Sequence, residues 1–431
     1  MKRFFRDFML YGMAGIFGKL AALLLMPVYT GILTQEEYGA MALILLCSGV
    51  IDLISNLNIH SGIARDYYED GVRRTKLVST GLFSILTVSM TVLAMLFASR
   101  HFWMDHVIGL DRKFEWPFVV MLCGVPFGSL QSYFFLLTRF KKKPVLYMIG
   151  TLTALFIRLG VSIYGVVVMR AGIVSIFVGG LAASLFSICF FGIVNRNLIE
   201  LTFSRDYLKR ALLYSLPTLP AILAGWLDTS VGQVLISRSF SMEELGVYSV
   251  AVSLASVFTL ISEAFNNIWS PYLFENYRQE GFWREIRRLF TLIVFGLVAV
   301  SVLLSLIAKP VVLIFSNPDY IEASRYLPLL CLPMSLYMLF PFASAGVSIS
   351  RDTRHVGIAY VCGTALNLFL LFVSVGRLGI IAVPLCLSVS RLTAYIYLYI
   401  VSRKKVGYRL PNALLLLLAV AAIGGYLLQR G

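Results

Sequence analysis

The sequence predicts an all-α integral membrane protein of 12–14 transmembrane helices, with 13 as the best count. Its 431 residues are 59% hydrophobic and only 14% charged, with a mean hydropathy of +0.83. Soluble domains average roughly 25% charged residues. Apolar stretches of about 20 residues, long enough to cross a ~30 Å hydrocarbon core, recur from end to end. No polar or Gly/Ser-rich linker separates them, so a string of soluble domains is excluded.

The expected spans are 8–30, 40–62, 78–98, 117–138, 145–169, 173–194, 211–237, 247–269, 289–308, 329–350, 356–375, 380–401 and 412–428. The first is too long for a cleaved signal peptide and lacks a small-x-small site, and Lys19 interrupts it. Its Gly12, Gly15 and Gly18 favour close helix packing. Pro217 and Pro220 open the seventh span, Pro333 and Pro341 interrupt the tenth, and Pro384 lies early in the twelfth. Such prolines remove backbone hydrogen bonds and bend helices. The last span is short, and an odd number would put the C-terminus outside.

The net charge of +15 is a topology signal. With the N-terminus cytoplasmic, inside segments carry 25 Lys/Arg, outside segments 9 and spans 3, while the acids divide evenly. Only Lys and Arg are asymmetric, as the positive-inside rule requires. That distribution argues against nucleic-acid binding and for some affinity to anionic headgroups. All six cysteines fall inside spans without C-x-x-C and read as packing residues. His101 and His106 share a loop but make at most a weak metal signal. No loop exceeds about twenty residues or carries metal-ligand spacing, which argues against a membrane-embedded enzyme.

An internal repeat divides the chain. Thr34-Gln35-Glu36-Glu37-Tyr38-Gly39 returns as Ser241-Met242-Glu243-Glu244-Leu245-Gly246 at an offset of 207 residues. The same offset aligns Leu53-Ile54-Ser55 with Leu260-Ile261-Ser262, Gly150 with Gly357, and Arg170-Ala171-Gly172-Ile173 with Arg377-Leu378-Gly379-Ile380. Six spans separate the copies, so both halves enter the membrane in the same sense. Parallel repeats of this kind suit a two-lobe transporter. The expected division is residues 1–200, 201–405 and a terminal segment 406–431.

Three stretches carry a family resemblance: Leu25-Met26-Pro27-Val28-Tyr29-Thr30 before the first turn, Gly62-Ile63-Ala64-Arg65-Asp66-Tyr67-Tyr68-Glu69, and Ala264-Phe265-Asn266-Asn267-Ile268-Trp269-Ser270-Pro271-Tyr272. With them, nearly the whole chain resembles the polysaccharide (O-antigen type) flippases of the multidrug/oligosaccharidyl-lipid/polysaccharide exporter (MOP) superfamily. The resemblance implies two six-helix lobes of the MATE-like fold around a central cavity. It also implies alternating-access movement of an undecaprenyl-diphosphate-linked oligosaccharide across a bacterial inner membrane. No cofactor is implied beyond a coupling ion, H+ or Na+. Polysaccharide polymerases and glycosyltransferases are the implied partners. Members often have fourteen spans, and this chain departs from that number. Flippases for peptidoglycan or teichoic-type lipid intermediates, and multidrug or cation exporters, are the alternatives within the superfamily.

Ionisable residues inside spans are functional candidates by default. Lys19, Arg158 and Arg391 are the candidates for a diphosphate, because cations at midplane offset its charge and arginine's fork donates two parallel hydrogen bonds. Asn56, Asn58, Trp226, Asn266 and Asn267 are the candidate sugar contacts. Asp52, Asp228 and Glu263 could carry a proton or help coordinate sodium. The structural alternative is ion pairing between helices, Lys19 with Asp52 for instance.

Overall fold

In the computed structural model, residues 17–18, 20–69, 71–350, 352 and 354–430 are described, except for the side chains of residues 221, 264, 267, 270 and 271. Every regular element among them is helical. Ten helical stretches are long and apolar enough to cross a membrane, or eleven when Arg205–Thr218 and Ile222–Ser239 count together as one bent span. One of the ten, Arg354–Val406, consists of two 25-residue helices. The expected thirteen is therefore not confirmed. Residues 8–16 and 19 of the first expected span lie outside the described residues, and from Leu20 on it forms the shorter apolar helix Leu20–Ile32.

Two compact units divide the chain, Met1–Leu223 and Ala224–Gly431. In unit 1, α1 (Leu20–Ile32) leads into α2 (Gln35–Asn56), α3 (Ile59–Asp66) and α4 (Arg74–Ala98). A short connecting segment begins with α5 (Arg100–Phe102). The long helices α6 (Glu115–Phe140), α7 (Pro144–Ile163) and α8 (Val174–Asn195) follow, then α9 (Arg205–Ser215). Its core includes the fully buried Tyr133 and Phe191, and the Tyr133 hydroxyl donates to the Val78 carbonyl at 2.8 Å. Residues 201–215, expected to begin the second lobe, pack on the first. The Arg73 amide donates to the Tyr207 hydroxyl at 3.2 Å, and the Ser204 amide to Thr80 Oγ1 at 3.0 Å.

Helix α10 (Leu219–Ser239) begins at the end of unit 1 and continues into unit 2, followed there by α11 (Met242–Ala255), α12 (Val257–Asn276), α13 (Phe282–Leu306) and α14 (Ala308–Phe315). At its centre is α15 (Ala323–Ile349), flanked by α16 (Arg354–Leu378), α17 (Ala382–Val406) and α18 (Leu415–Arg430). Gly346 on α15 lies against the Ser402 backbone on α17, so close that a side chain at 346 would collide with it. The terminal segment is part of this core. Gln429 on α18 donates to the Ser305 carbonyl at 2.6 Å, and Gly425 lies against Ser305 and Pro328.

The repeat has a physical explanation at its helix caps and at its left-handed glycines. Thr34 caps α2: its hydroxyl accepts from the Glu37 amide at 3.2 Å, and the Glu37 carboxylate accepts from the Thr34 amide at 2.9 Å. Ser241 caps α11 by accepting from the Glu244 amide at 3.1 Å. Each cap satisfies amides that a helix start leaves free and contributes about 1 kcal/mol. Gly172 and Gly379 have φ of 61° and 66°, left-handed turns before α8 and before α17 where a Cβ would be strained. The offset also matches Pro126 with Pro333, each inside a helix, α6 and α15.

Candidate functional site

Each unit holds a polar site among apolar helices, and the two are built differently. In unit 1, α2, α6, α7 and α8 enclose a cavity of about 460 Å³. Ser48 and Asp52 line it from α2, one helical turn apart and therefore on one face. Tyr147, Thr151 and Arg158 line it from α7. On α6 the walls at Gly124 and Gly128 carry no side chain, which leaves the space open.

The Arg158 side chain is exposed within this cavity and makes no ion pair or hydrogen bond among the described residues. Among the described residues, Asp52 Oδ1 is buried without a hydrogen-bond partner, as is Asn56 Oδ1 one turn later. The Asn56 amide group instead donates to the Asp52 backbone carbonyl at 2.8 Å. Unsatisfied polar atoms are costly in such a setting. Opposite them, Gln131 on α6 donates to Ser187 Oγ at 2.8 Å and accepts from Ser184 Oγ at 2.9 Å, both on α8. Arg139, at the end of α6, donates to the lining Tyr147 hydroxyl at 2.6 Å. The wall can thus meet anionic oxygens through Arg158, hydroxyls through Gln131 and Ser184, and a cation through Asp52.

In unit 2 the cation is already paired. Arg391 Nε on α17 donates to Asp228 Oδ2 on α10 at 3.4 Å, and Arg391 Nη1 donates to the Pro333 carbonyl on α15 at 2.7 Å. The guanidinium lies 5.4 Å from the Tyr337 ring centroid, within cation–π range. Asn367 on α16 donates to the Asp228 backbone carbonyl at 2.9 Å and to Asp228 Oδ1 at 3.2 Å. The Arg391 and Asp228 side chains are 9% and 15% exposed, so four helices share one desolvated pair.

The remaining expected residues are scattered. Asn58 has a left-handed φ of 49° between α2 and α3, and its amide group donates to Thr218 Oγ1 at 2.8 Å. Trp226 is half-buried on α10 and Glu263 is exposed on α12; neither lines the cavities described. Asn266 lines a second cavity in unit 2, of about 310 Å³. Lys19 and the Asn267 side chain lie outside the described residues, and with Lys19 the expected pairing to Asp52. His101 sits beside Arg112 and 3.8 Å from Glu115, whereas His106 stacks on Phe102. No metal-binding group occurs among the described residues. Sequence reasoning missed Gln131, Ser184, Asn367 and Tyr337. The signal available was an amide, Gln131 or Asn367, in the middle of an otherwise apolar span.

The architecture recurs in solved structures. The chain is 16% identical to a lipid II flippase MurJ in an inward closed conformation, with a TM-score of 0.72 and 98% of each chain covered. It is 15% identical to an inward-facing multidrug resistance MATE family transporter of the MOP superfamily, at a TM-score of 0.69, covering 90% of this chain and 94% of that one. A mutant MATE transporter of Vibrio cholerae follows at 12% identity and a TM-score of 0.62, covering 94% and 96%. The chain thus shares its fold with these flippase and transporter structures, and it is a multi-pass membrane protein. The sequence pattern of the family described as "Polysaccharide biosynthesis protein" matches residues 28–325. The chain belongs to that family. No curated protein matches it in sequence.

Proposed function

We propose that the protein flips a polyprenyl-diphosphate-linked oligosaccharide, a polysaccharide repeat unit, from the inner to the outer leaflet of a bacterial inner membrane by alternating access. The N-terminus is cytoplasmic in this reading. The observation that carries it is Arg158, a guanidinium exposed in a membrane-embedded cavity with no ion pair among the described residues. An unpaired cation at that depth is costly unless an anion visits it, and a diphosphate matches its fork. Membership of a polysaccharide biosynthesis family supports the saccharide half of this reading. Asp52, whose Oδ1 has no hydrogen-bond partner among the described residues, is the proposed acceptor of the coupling H+ or Na+.

The test is flipping of a labelled undecaprenyl-diphosphate oligosaccharide in proteoliposomes. Wild-type protein transports, Arg158→Ala does not, and collapse of the H+ or Na+ gradient stops wild-type transport. Wild-type rates in Arg158→Ala exclude the diphosphate site. Asp52 in the same cavity favours a second reading, export of an organic cation. In that case Asp52→Asn abolishes cation efflux while Arg158→Ala leaves it intact.

A further inference from the structure

We propose that the second cavity of unit 2 is a saccharide subsite, separate from the diphosphate site in unit 1; this rests on the flippase reading above. Its walls come from α12, α15, α16 and α17 and combine five aromatic rings with three small polar groups. Trp269, Phe274, Tyr337, Phe340 and Tyr360 supply the rings, and Asn266, Ser344 and Ser348 the amide and hydroxyls. That combination is what a pyranose requires. Its C–H faces stack on flat rings, while its hydroxyls need donors and acceptors at the edge. A lipid tail or a purely apolar ligand would leave the polar groups unmatched.

The rings are held in place by packing. Trp269 is 5% exposed and lies 4.5 Å from the Phe342 ring centroid, which fixes its plane. Tyr360 lies 5.7 Å from Phe340 at an interplanar angle of 31°, and Phe340 in turn lies 6.3 Å from Tyr337. The Asn266 amide, by contrast, makes no hydrogen bond among the described residues. Ser344 bonds only the Pro341 carbonyl one turn back, at 3.4 Å. Rigid rings beside open polar groups are the arrangement of a preorganised sugar site rather than of a filled core.

The location fits capture. Each lining segment sits towards the helix end that leads into a basic loop, with Arg354 as the first residue of α16 and Arg403, Lys404 and Lys405 at the end of α17. By the positive-inside rule that end is cytoplasmic, the side on which a lipid-linked saccharide is completed before it is flipped. Tyr337 also touches Arg391 through its ring face. An occupied subsite therefore contacts the buried Asp228–Arg391 pair through one side chain.

The experiment compares binding of two probes to the full-length protein in nanodiscs: undecaprenyl diphosphate, and the same lipid carrying one N-acetylhexosamine. Wild type prefers the sugar-bearing lipid by about tenfold, the effect of roughly one well-made buried contact set. Tyr360→Ala, Ser344→Leu and Asn266→Ala each reduce that preference to near unity without weakening the bare lipid. Tyr360→Phe retains it. Three variants at separate walls guard against one that fails to fold, and thermal unfolding of each checks this directly. An unchanged preference in all three, equal weakening of both lipids, or no wild-type preference overturns the subsite. Arg158→Ala weakens both lipids together and so tests the flippase reading on its own. If wild type binds neither lipid, both readings fall.

Discussion

Ser184 in unit 1 and Arg391 in unit 2 occupy corresponding positions, 207 residues apart, on corresponding helices α8 and α17. The helices around them correspond too, down to the matched prolines Pro126 and Pro333. In unit 1 the small serine leaves a cavity open and bonds Gln131 across it. In unit 2 the arginine reaches through that space to Asp228 and the Pro333 carbonyl. Conversely, Arg158 and Asp52 in unit 1 face Ala365 and Thr259 at the equivalent positions of unit 2. One duplicated framework thus carries an open charge site in one copy and a closed one in the other. The cations are equally costly to insert, but only the closed one is compensated from within.

The comparison can be broken most forcefully by removing one half of the closed pair. Asp228→Ala leaves the Arg391 guanidinium buried without its partner, and is expected to destabilise unit 2 by about 3–5 kcal/mol. The joint change Asp228→Leu with Arg391→Leu recovers most of that loss. Chemical unfolding in detergent measures both. Arg158→Ala in the open site is expected to cost little stability, so equal destabilisation by the two alanine variants would end the distinction.

A second approach imports one unit's residue into the other. Ser184→Arg places a cation opposite Asp52 and fills the cavity, which is expected to abolish transport while leaving the protein folded. Persistent transport in that variant would show that the cavity is not on the path. Smaller effects separate the two caps. Thr34 has a reciprocal box and Ser241 a single bond, so Thr34→Ala is expected to cost more than Ser241→Ala, with both near 1 kcal/mol. Equal costs would mean that the Glu37 carboxylate contributes nothing.

The smallest effect concerns pH. The Lys405 ammonium, 2.7 Å away, holds the Asp352 carboxyl below its ordinary value of 3.8. A group lowered in this way stabilises the fold above its unfolded value and loses that contribution as pH falls through the folded one. The tether between the α15–α16 loop and the end of α17 is therefore present at pH 7 and lost in acid below the ordinary value of 3.8. Being exposed, it should alter local protease sensitivity of the loop more than global stability. Lys405→Met should weaken that pH dependence, leaving the part that His355, 3.5 Å from Asp352, contributes.

What was legible in the sequence were features set by the solvent or by local geometry. Lipid demands long apolar helices, so the spans around α4, α6 and α8 could be read directly. Caps and left-handed turns are local, so the Thr34 and Ser241 motifs and the Gly172–Gly379 match announced themselves. Inside the membrane, however, the core face and the lipid face of a helix are equally apolar, and periodicity no longer says which side chain points inward. Arg391 was visible as a buried charge, but its partners come from α10 and α15, and nothing local to α17 names them. Gln131 and Ser184 carry no charge to draw attention. Tyr337 and Tyr360 are two among 22 tyrosines, and only packing sets them around a common space.

The docking of α18 has a consequence for how the chain is made. Leu415, Leu418, Ala422, Gly425 and Gln429 form its buried stripe, and Gln429 and Gly425 meet Ser305 and Pro328 on the neighbouring α13 and α15. Unit 1 contains no contribution from so late in the sequence. During synthesis, which releases the N-terminal part first, unit 1 can close while translation continues. Unit 2 instead waits with the α13–α15 seam open to lipid until α18 has emerged. Helix α18 acts as a latch on the second unit, and its arrival after α13 and α15 makes that seam the place where a quality-control protease or chaperone would engage the chain before α18 docks.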